Sequence, residues 1–167
     1  MFSITQKGKE LDKSKYNWDE TTKTLSTNEN NLVIDFSDYS YCTFKTGYNC
    51  TFNTGYNCTF NTGADCTFTT GSYCIFTTGY NCTFTTGSYC IFTTGADCTF
   101  KTGKNCVAIR YDVKGIIEIP KDITIKFNGY GISGYTVIEE KKEVTKETCN
   151  GKVVEIDGKK YKLQEIA

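Results

Sequence analysis

Between Cys42 and Asn105 apolar and polar residues alternate for four positions, break at a Thr-Gly pair, and start again every eighth residue. Aligned on cysteine, eight units run in register: CTFKTGYN, CTFNTGYN, CTFNTGAD, CTFTTGSY, CIFTTGYN, CTFTTGSY, CIFTTGAD and CTFKTGKN. A ninth opens at Cys106 and decays into CVAIRYD. Ile34 and Phe36, eight residues ahead of Cys42 and Phe44, mark IDFSDYSY as a degenerate unit before the first. The period inside a unit is two, so Cys and Phe share one face of a strand while the second and fourth residues share the other. Thr and Gly are weak helix formers, and two apolar positions in eight leave no 3.6-residue stripe. Each octad is therefore expected to form one strand and one corner. Gly would turn the corner at positive φ, and the two residues after it would complete the bend.

Tight self-similarity at a short period is the signature of a solenoid, in which each unit buries its apolar face only against its neighbours. Two octads would close a flattened coil and three a triangular one. GSYCIFTTG recurs sixteen residues apart, at Gly71 and Gly87, which favours two. With strands stacked about 4.8 Å apart, ten half-coils make a rod about 24 Å tall. The fold class expected is all-β: a short β-solenoid with an N-terminal β cap and a small C-terminal β domain.

The repeat places Cys42, Cys50, Cys58, Cys66, Cys74, Cys82, Cys90, Cys98 and Cys106 on an interior ladder, beside Phe44, Phe52, Phe60, Phe68, Phe76, Phe84, Phe92 and Phe100. Cysteine acts there as a small hydrophobe. Buried phenylalanines contribute about 1.5–3 kcal/mol each before entropy is subtracted. Two other readings of the cysteines stay open at this point. Neighbouring rungs bring Cα atoms within disulfide range, and thiols can hold metal, although eight-residue spacing lacks the tight pairs of a zinc site.

The flanks divide the chain into 1–33, 34–109 and 110–167. In the first, KYNWDETTKTLST alternates and breaks at DETTK like a hairpin. After Cys106, VAIRYDV, GIIEIP, ITIKFN and GYTVIEE read as strands, and Asp157-Gly158 between alternating runs signals a hairpin. EEKKEVTKET is charged enough for an exposed loop or a single helical turn.

The 167 residues carry 19 basic and 19 acidic side chains. That balance supplies no field to draw in nucleic acid or an anionic membrane, so neither is expected as a partner. MFSITQKGKELDKSKYNW lacks the apolar run of a signal peptide and points to a soluble, cytoplasmic protein with reduced thiols. The sequence contains no His, which removes histidine-based nucleophile pairs and HExxH zinc sites. There is no P-loop or dinucleotide fingerprint, and no catalytic, cofactor or metal residues are assigned. Asp112, Glu118, Asp122, Glu139 and Glu140 are carboxylates for which solvated charge is the ordinary reading. Cys149, outside the ladder, is more readily an idle or buried thiol than a reactive one.

Phrases of the type CTFxTGxN that pass into CVAIRYDV and finish with VVEIDGKKYKL resemble octapeptide-repeat proteins encoded by bacteriophages and other mobile elements of low-GC bacteria. The similarity spans the chain from Asn31 onward, and architectural kinship extends to pentapeptide-repeat and other short-period β-solenoids. Those proteins carry no assigned function; with no active site legible here, the expected function is a non-catalytic interaction protein in the host cytoplasm, and the resemblance suggests a host defence enzyme or nuclease as the target that it docks on and inhibits. Tyr48, Tyr56, Tyr73, Tyr80 and Tyr89, at the corners, are the candidate interface, since aromatic anchors suit protein contacts. The alternative is a virion tail or fibre element, for which a stacked rod is useful and homo-oligomers are expected. A third, weaker reading comes from the outward pairs Thr51/Asn53, Thr67/Thr69, Thr83/Thr85 and Thr99/Lys101, which resemble the threonine arrays of insect ice-binding solenoids.

Overall fold

The structure, a computed structural model, describes residues 1–139 and the strands Val153–Ile156 and Lys159–Lys162. The octads wind into a β-solenoid of about five turns with two octads per coil, which settles the flattened over the triangular form. Alternate strands fall into two sheets. One carries the outward threonines and runs, from the N-terminal end, through Lys9–Glu10, Ser3–Gln6, Leu32–Phe36, Thr51–Thr54, Thr67–Thr69, Thr83–Thr85, Thr99–Lys101, Ile125–Phe127 and Tyr135–Val137. The other runs through Asn17–Asp19, Thr24–Ser26, Thr43–Lys45, Thr59–Asn61, Ile75–Thr77, Ile91–Thr94, Cys106–Arg110 and Ile116–Ile119; we call it the isoleucine sheet. Inside the array the strands are parallel and pair sixteen residues apart, as in Phe44 beside Phe60 and Phe52 beside Phe68.

The core between the sheets is aromatic. Phe rings stack within a sheet at 4.8–5.1 Å and meet the rings of the opposite sheet edge-on, as between Phe68 and Phe76 at 5.2 Å and 74°. This herringbone places ring edges against ring faces, the arrangement the aromatic quadrupole favours. Every array Phe is at 0% exposure. The fifth-position threonines also turn inward: Thr54, Thr62, Thr78, Thr94 and Thr102 are buried. Each donates its Oγ1 to the carbonyl of the next glycine at 3.2–3.4 Å, which satisfies a hydroxyl that burial would otherwise strand.

The corners correct one expectation. Positive φ falls on the residue before each cysteine, namely Tyr41, Asn49, Asn57, Asp65, Tyr73, Asn81, Tyr89, Asp97 and Asn105, at 53–62°, and not on the array glycines. Asn and Asp tolerate this conformation, which accounts for most of these positions. The glycines serve another need, because the corner of the preceding coil sits directly against them. A Cβ on Gly79 would lie 2.7 Å from the Ala64 backbone nitrogen. Gly79→Ala is therefore expected to cost about 1–3 kcal/mol by overpacking. Gly129, with no atom of the described residues within 4 Å of its Cβ position, should accept alanine within about 0.5 kcal/mol. Chemical denaturation of the two variants checks this.

The degenerate first unit sits in a different register from the one its sequence suggests. Ile34 lies beside Phe52 and Phe36 beside Thr54, two positions along from an alignment on Cys42 and Phe44. A shift of two keeps the same side chains facing in, so alternation alone does not detect it.

Both ends are closed by antiparallel strands. At the N-terminus, Asn17–Asp19 and Thr24–Ser26 form the expected hairpin, and Ser3–Gln6 covers Leu32–Phe36. Phe2 stacks on Phe36 at 4.3 Å while Trp18 and Tyr39 meet Phe36 edge-on, which seals the first coil. At the other end Ile116–Ile119 pairs with Cys106–Arg110 and Ile125–Phe127 with Thr99–Lys101. The solenoid's own sheets thus continue through the boundary expected at residue 110, and Phe127 packs on Phe100 at 4.6 Å. Val153–Ile156 and Lys159–Lys162 pair as the expected hairpin with Ile156 opposite Lys159. EEKKEVTKET, Glu140 and Cys149 lie outside the described residues.

Candidate functional site

The cysteine ladder is structural in its contacts. Cys42, Cys50, Cys58, Cys66, Cys74, Cys82, Cys90, Cys98 and Cys106 are free and buried, so no disulfide joins the rungs. From Cys66 onward each sulfur also lies 3.4–3.9 Å from a glycine carbonyl of the preceding coil, as Cys90 does from Gly71 at 3.7 Å. Burial pushes the Cys42 thiol up to about 11.

The five candidate tyrosines do not share one surface, which corrects the expectation of a single interface. Tyr56, Tyr73 and Tyr89 line the edge where the chain passes from the threonine sheet to the isoleucine sheet. There Tyr73 and Tyr89 stack face to face at 5.0 Å, and Lys104 Nζ sits 5.9 Å from the Tyr89 ring. Tyr41, outside the candidate set, meets Tyr56 edge-on at 5.3 Å.

Tyr48 and Tyr80 occupy the opposite edge, and its composition alternates with a period of two coils. Successive corners read Tyr48-Asn49, Ala64-Asp65, Tyr80-Asn81 and Ala96-Asp97. Tyr48 is 52% exposed and Tyr80 61%, whereas Ala96 is buried at 4%. Large rings therefore alternate with small floors. The Asx side chains form a ladder beside them, with Asn49 donating to Asn31 Oδ1 at 2.7 Å and Asn81 to Asp65 Oδ1 at 2.8 Å.

At the C-terminal end this edge deepens into a cleft of 360 Å³ lined by Tyr80, Gly95, Ala96, Asp97, Tyr111, Asp112 and Tyr130. Tyr111 and Tyr130 are 59% and 85% exposed. Burial raises the pKa of the Tyr111 hydroxyl above its ordinary value, and the group donates to the Thr93 carbonyl at 3.2 Å.

The loop that brings Tyr130 to the cleft is held by a buried ion pair. Arg110, at 2% exposure, donates from Nε and Nη2 to the two carboxylate oxygens of Asp112 at 3.1 and 2.5 Å. Its remaining donors reach the carbonyls of Ile132 at 2.8 Å and Gly129 at 3.1 Å, and the guanidinium lies 5.6 Å from the Phe127 ring. Asp112 Oδ2 also accepts from the Gly131 N–H at 2.7 Å. Burial works against the Asp112 charge, yet Arg110 and the Gly131 N–H hold its carboxyl below the ordinary carboxylate range. Asp112 is therefore a fixed structural anion, a correction to its reading as a solvated charge. Glu118, Asp122 and Glu139 are exposed, as that reading expects.

Thr51/Asn53, Thr67/Thr69, Thr83/Thr85 and Thr99/Lys101 do lie in register on one sheet face. On the other sheet Ile75, Ile91 and Val107 align, and Ile75, Ile91, Ile109 and Ile116 are 41–69% exposed. Tyr111, Tyr130 and the Arg110–Asp112 pair were not singled out by sequence as site residues. The Tyr-Asn/Ala-Asp alternation is the visible signal that leads to this edge. Comparison with protein-family models, curated proteins and solved structures returns no match. Among the described residues, no helix is long and apolar enough to cross a membrane.

Proposed function

We propose that the protein is a non-catalytic protein-binding module, phage-encoded as its repeat phrases suggest, that uses the Tyr80–Tyr111–Tyr130 edge to dock on and inhibit a host defence enzyme such as a nuclease. The observation that carries this reading is the cleft itself, where three tyrosines at 59–85% exposure stand on a rigid scaffold around an alanine floor. Exposed tyrosines held by rigid β structure supply contact area at low entropic cost, which is what interface anchors need. A second reading, a virion tail or fibre part, is favoured by the aligned isoleucines, since exposed apolar sheet of this extent marks surfaces that associate.

Affinity capture from a bacterial lysate, with wild type beside a Tyr80→Ala/Tyr111→Ala variant and an Ile91→Lys variant, separates the two. A host enzyme retained by wild type and Ile91→Lys but lost by the tyrosine variant supports the inhibitor. Self-association or capture of virion proteins that only Ile91→Lys abolishes supports the structural part. Capture unaffected by either variant overturns both.

A further inference from the structure

Resting on the interaction reading, we propose that the Tyr48–Tyr80–Tyr111 edge binds a basic, proline-containing segment of the partner in the polyproline II conformation, with successive turns entering two consecutive notches. The first notch lies between Tyr48 and Tyr80 over Ala64 and Asp65, and the second between Tyr80 and Tyr111 over Ala96 and Asp97. The second coincides with the 360 Å³ cleft beside Tyr80, Ala96, Asp97 and Tyr111, and next to the first a 480 Å³ hollow lined by Tyr48, Asn49, Asp65, Thr67, Asn81 and Thr83 opens towards the threonine sheet.

Spacing selects the ligand conformation. Tyr48 and Tyr80 stand two coils apart, which at about 4.8 Å per coil is about 9.6 Å. A polyproline II turn of three residues advances about 9.3 Å and returns the same face. An extended strand repeats a face every ~6.6 Å and a helix every ~5.4 Å, so either would fall out of step by the second notch. Strand addition is also closed to the ligand along these corners, where the backbone N–H groups of Asn49, Asp65 and Asn81 are already bonded to the next coil at 2.9–3.0 Å. Polyproline segments need no such ladder and dock in aromatic-lined grooves through side-chain packing.

Charge selects the side chain. Asp65 in the first notch and Asp97 in the second stand beside tyrosines, an arrangement that attracts a cation through both the carboxylate and the ring faces, while Asp112, the other aspartate of the second cleft, is held by Arg110. Asp65 is bonded through Oδ1 to Asn81, and Asp97 Oδ1 meets Lys126 at 3.8 Å, a separation that a guanidinium in the notch can outcompete. Arginine at every third position of the ligand would fill both notches.

The test is calorimetric titration of the intact protein with synthetic peptides of equal length and equal arginine number. One carries arginine at every third position on a proline-rich backbone, a second carries arginine at every second position, and a third replaces proline by glycine. The first is expected to bind at least tenfold tighter than the others. Ala64→Tyr, at the half-buried floor of the first notch, installs the residue that Tyr48 and Tyr80 already supply one coil away on either side, and should weaken it at least tenfold with an unchanged melting temperature. Equal binding of all three peptides, which charge alone would give, overturns the proposal, as does absence of binding or binding of an oligosaccharide instead. If the lysate partner still depends on Tyr80 and Tyr111 while the peptides fail, this inference falls and the interaction reading stands.

Discussion

Phe76→Ala is expected to destabilise the protein by about 3–5 kcal/mol, the range for deleting a fully buried aromatic ring. Phe76 stacks on Phe60 and Phe92 at 4.8 Å and meets Phe68 and Phe84 edge-on at 5.2 and 5.1 Å, so its removal strips contacts from four rings at once. The lesion falls in mid-array, where stability is carried from coil to neighbouring coil. A lower denaturant midpoint should therefore come with a shallower transition, as the two halves lose their coupling. Ile75→Thr, one residue away on the outer face, is the matched control and should change stability by no more than about 0.5 kcal/mol. Threonine stands at the equivalent Thr59, which pairs with Ile75, so the sheet accepts either side chain.

Asp112→Ala should rank beside it, at about 3–5 kcal/mol, because it leaves a guanidinium buried without its counter-ion. Arg110 would keep the Ile132 and Gly129 carbonyls but lose both bonds to carboxylate. Replacing both members, as Arg110→Met with Asp112→Leu, should recover most of the loss, since the cost lies in the orphaned charge. The pair also sets an acid limit. The Asp112 pKa is lowered in the folded state, so its stabilisation is fully present above the ordinary carboxylate value of 3.8 and is lost as pH falls from there through the lower folded-state value. Hydrogen exchange in residues 128–134 should accelerate on that acid side, ahead of exchange in the array.

The array was legible because one physical rule repeats. Period-two alternation places Cys and Phe inside, and an eight-residue phrase that runs through eight consecutive units leaves no room for another register. Three features escaped for identifiable reasons. The Thr-Gly phrase suggests left-handed turn glycines, but their role is close approach between coils, which depends on the neighbouring rung and not on the local phrase. The first unit's register hid behind a shift of two, to which alternation is blind. Asp112 looks solvated in the sequence because nothing in DVKG shows that Arg110 turns inward at the last rung, where it packs against Phe127 and ties down the loop. The candidate site was legible only in part: Tyr48 and Tyr80 were singled out, but their separation from Tyr56, Tyr73 and Tyr89 follows from two octads closing a coil. Tyr130 reaches the same cleft through a loop whose course the repeat does not dictate.

The central claim is that sulfur and benzyl groups line the interior of a two-octad coil, and thiol labelling mapped by peptide mass spectrometry tests it most directly. In the folded protein Cys42 to Cys106, all nine buried, should resist alkylation, and all should react once denaturant unfolds the chain. Rapid modification of Cys66, Cys74 or Cys82 in the native state would contradict the account.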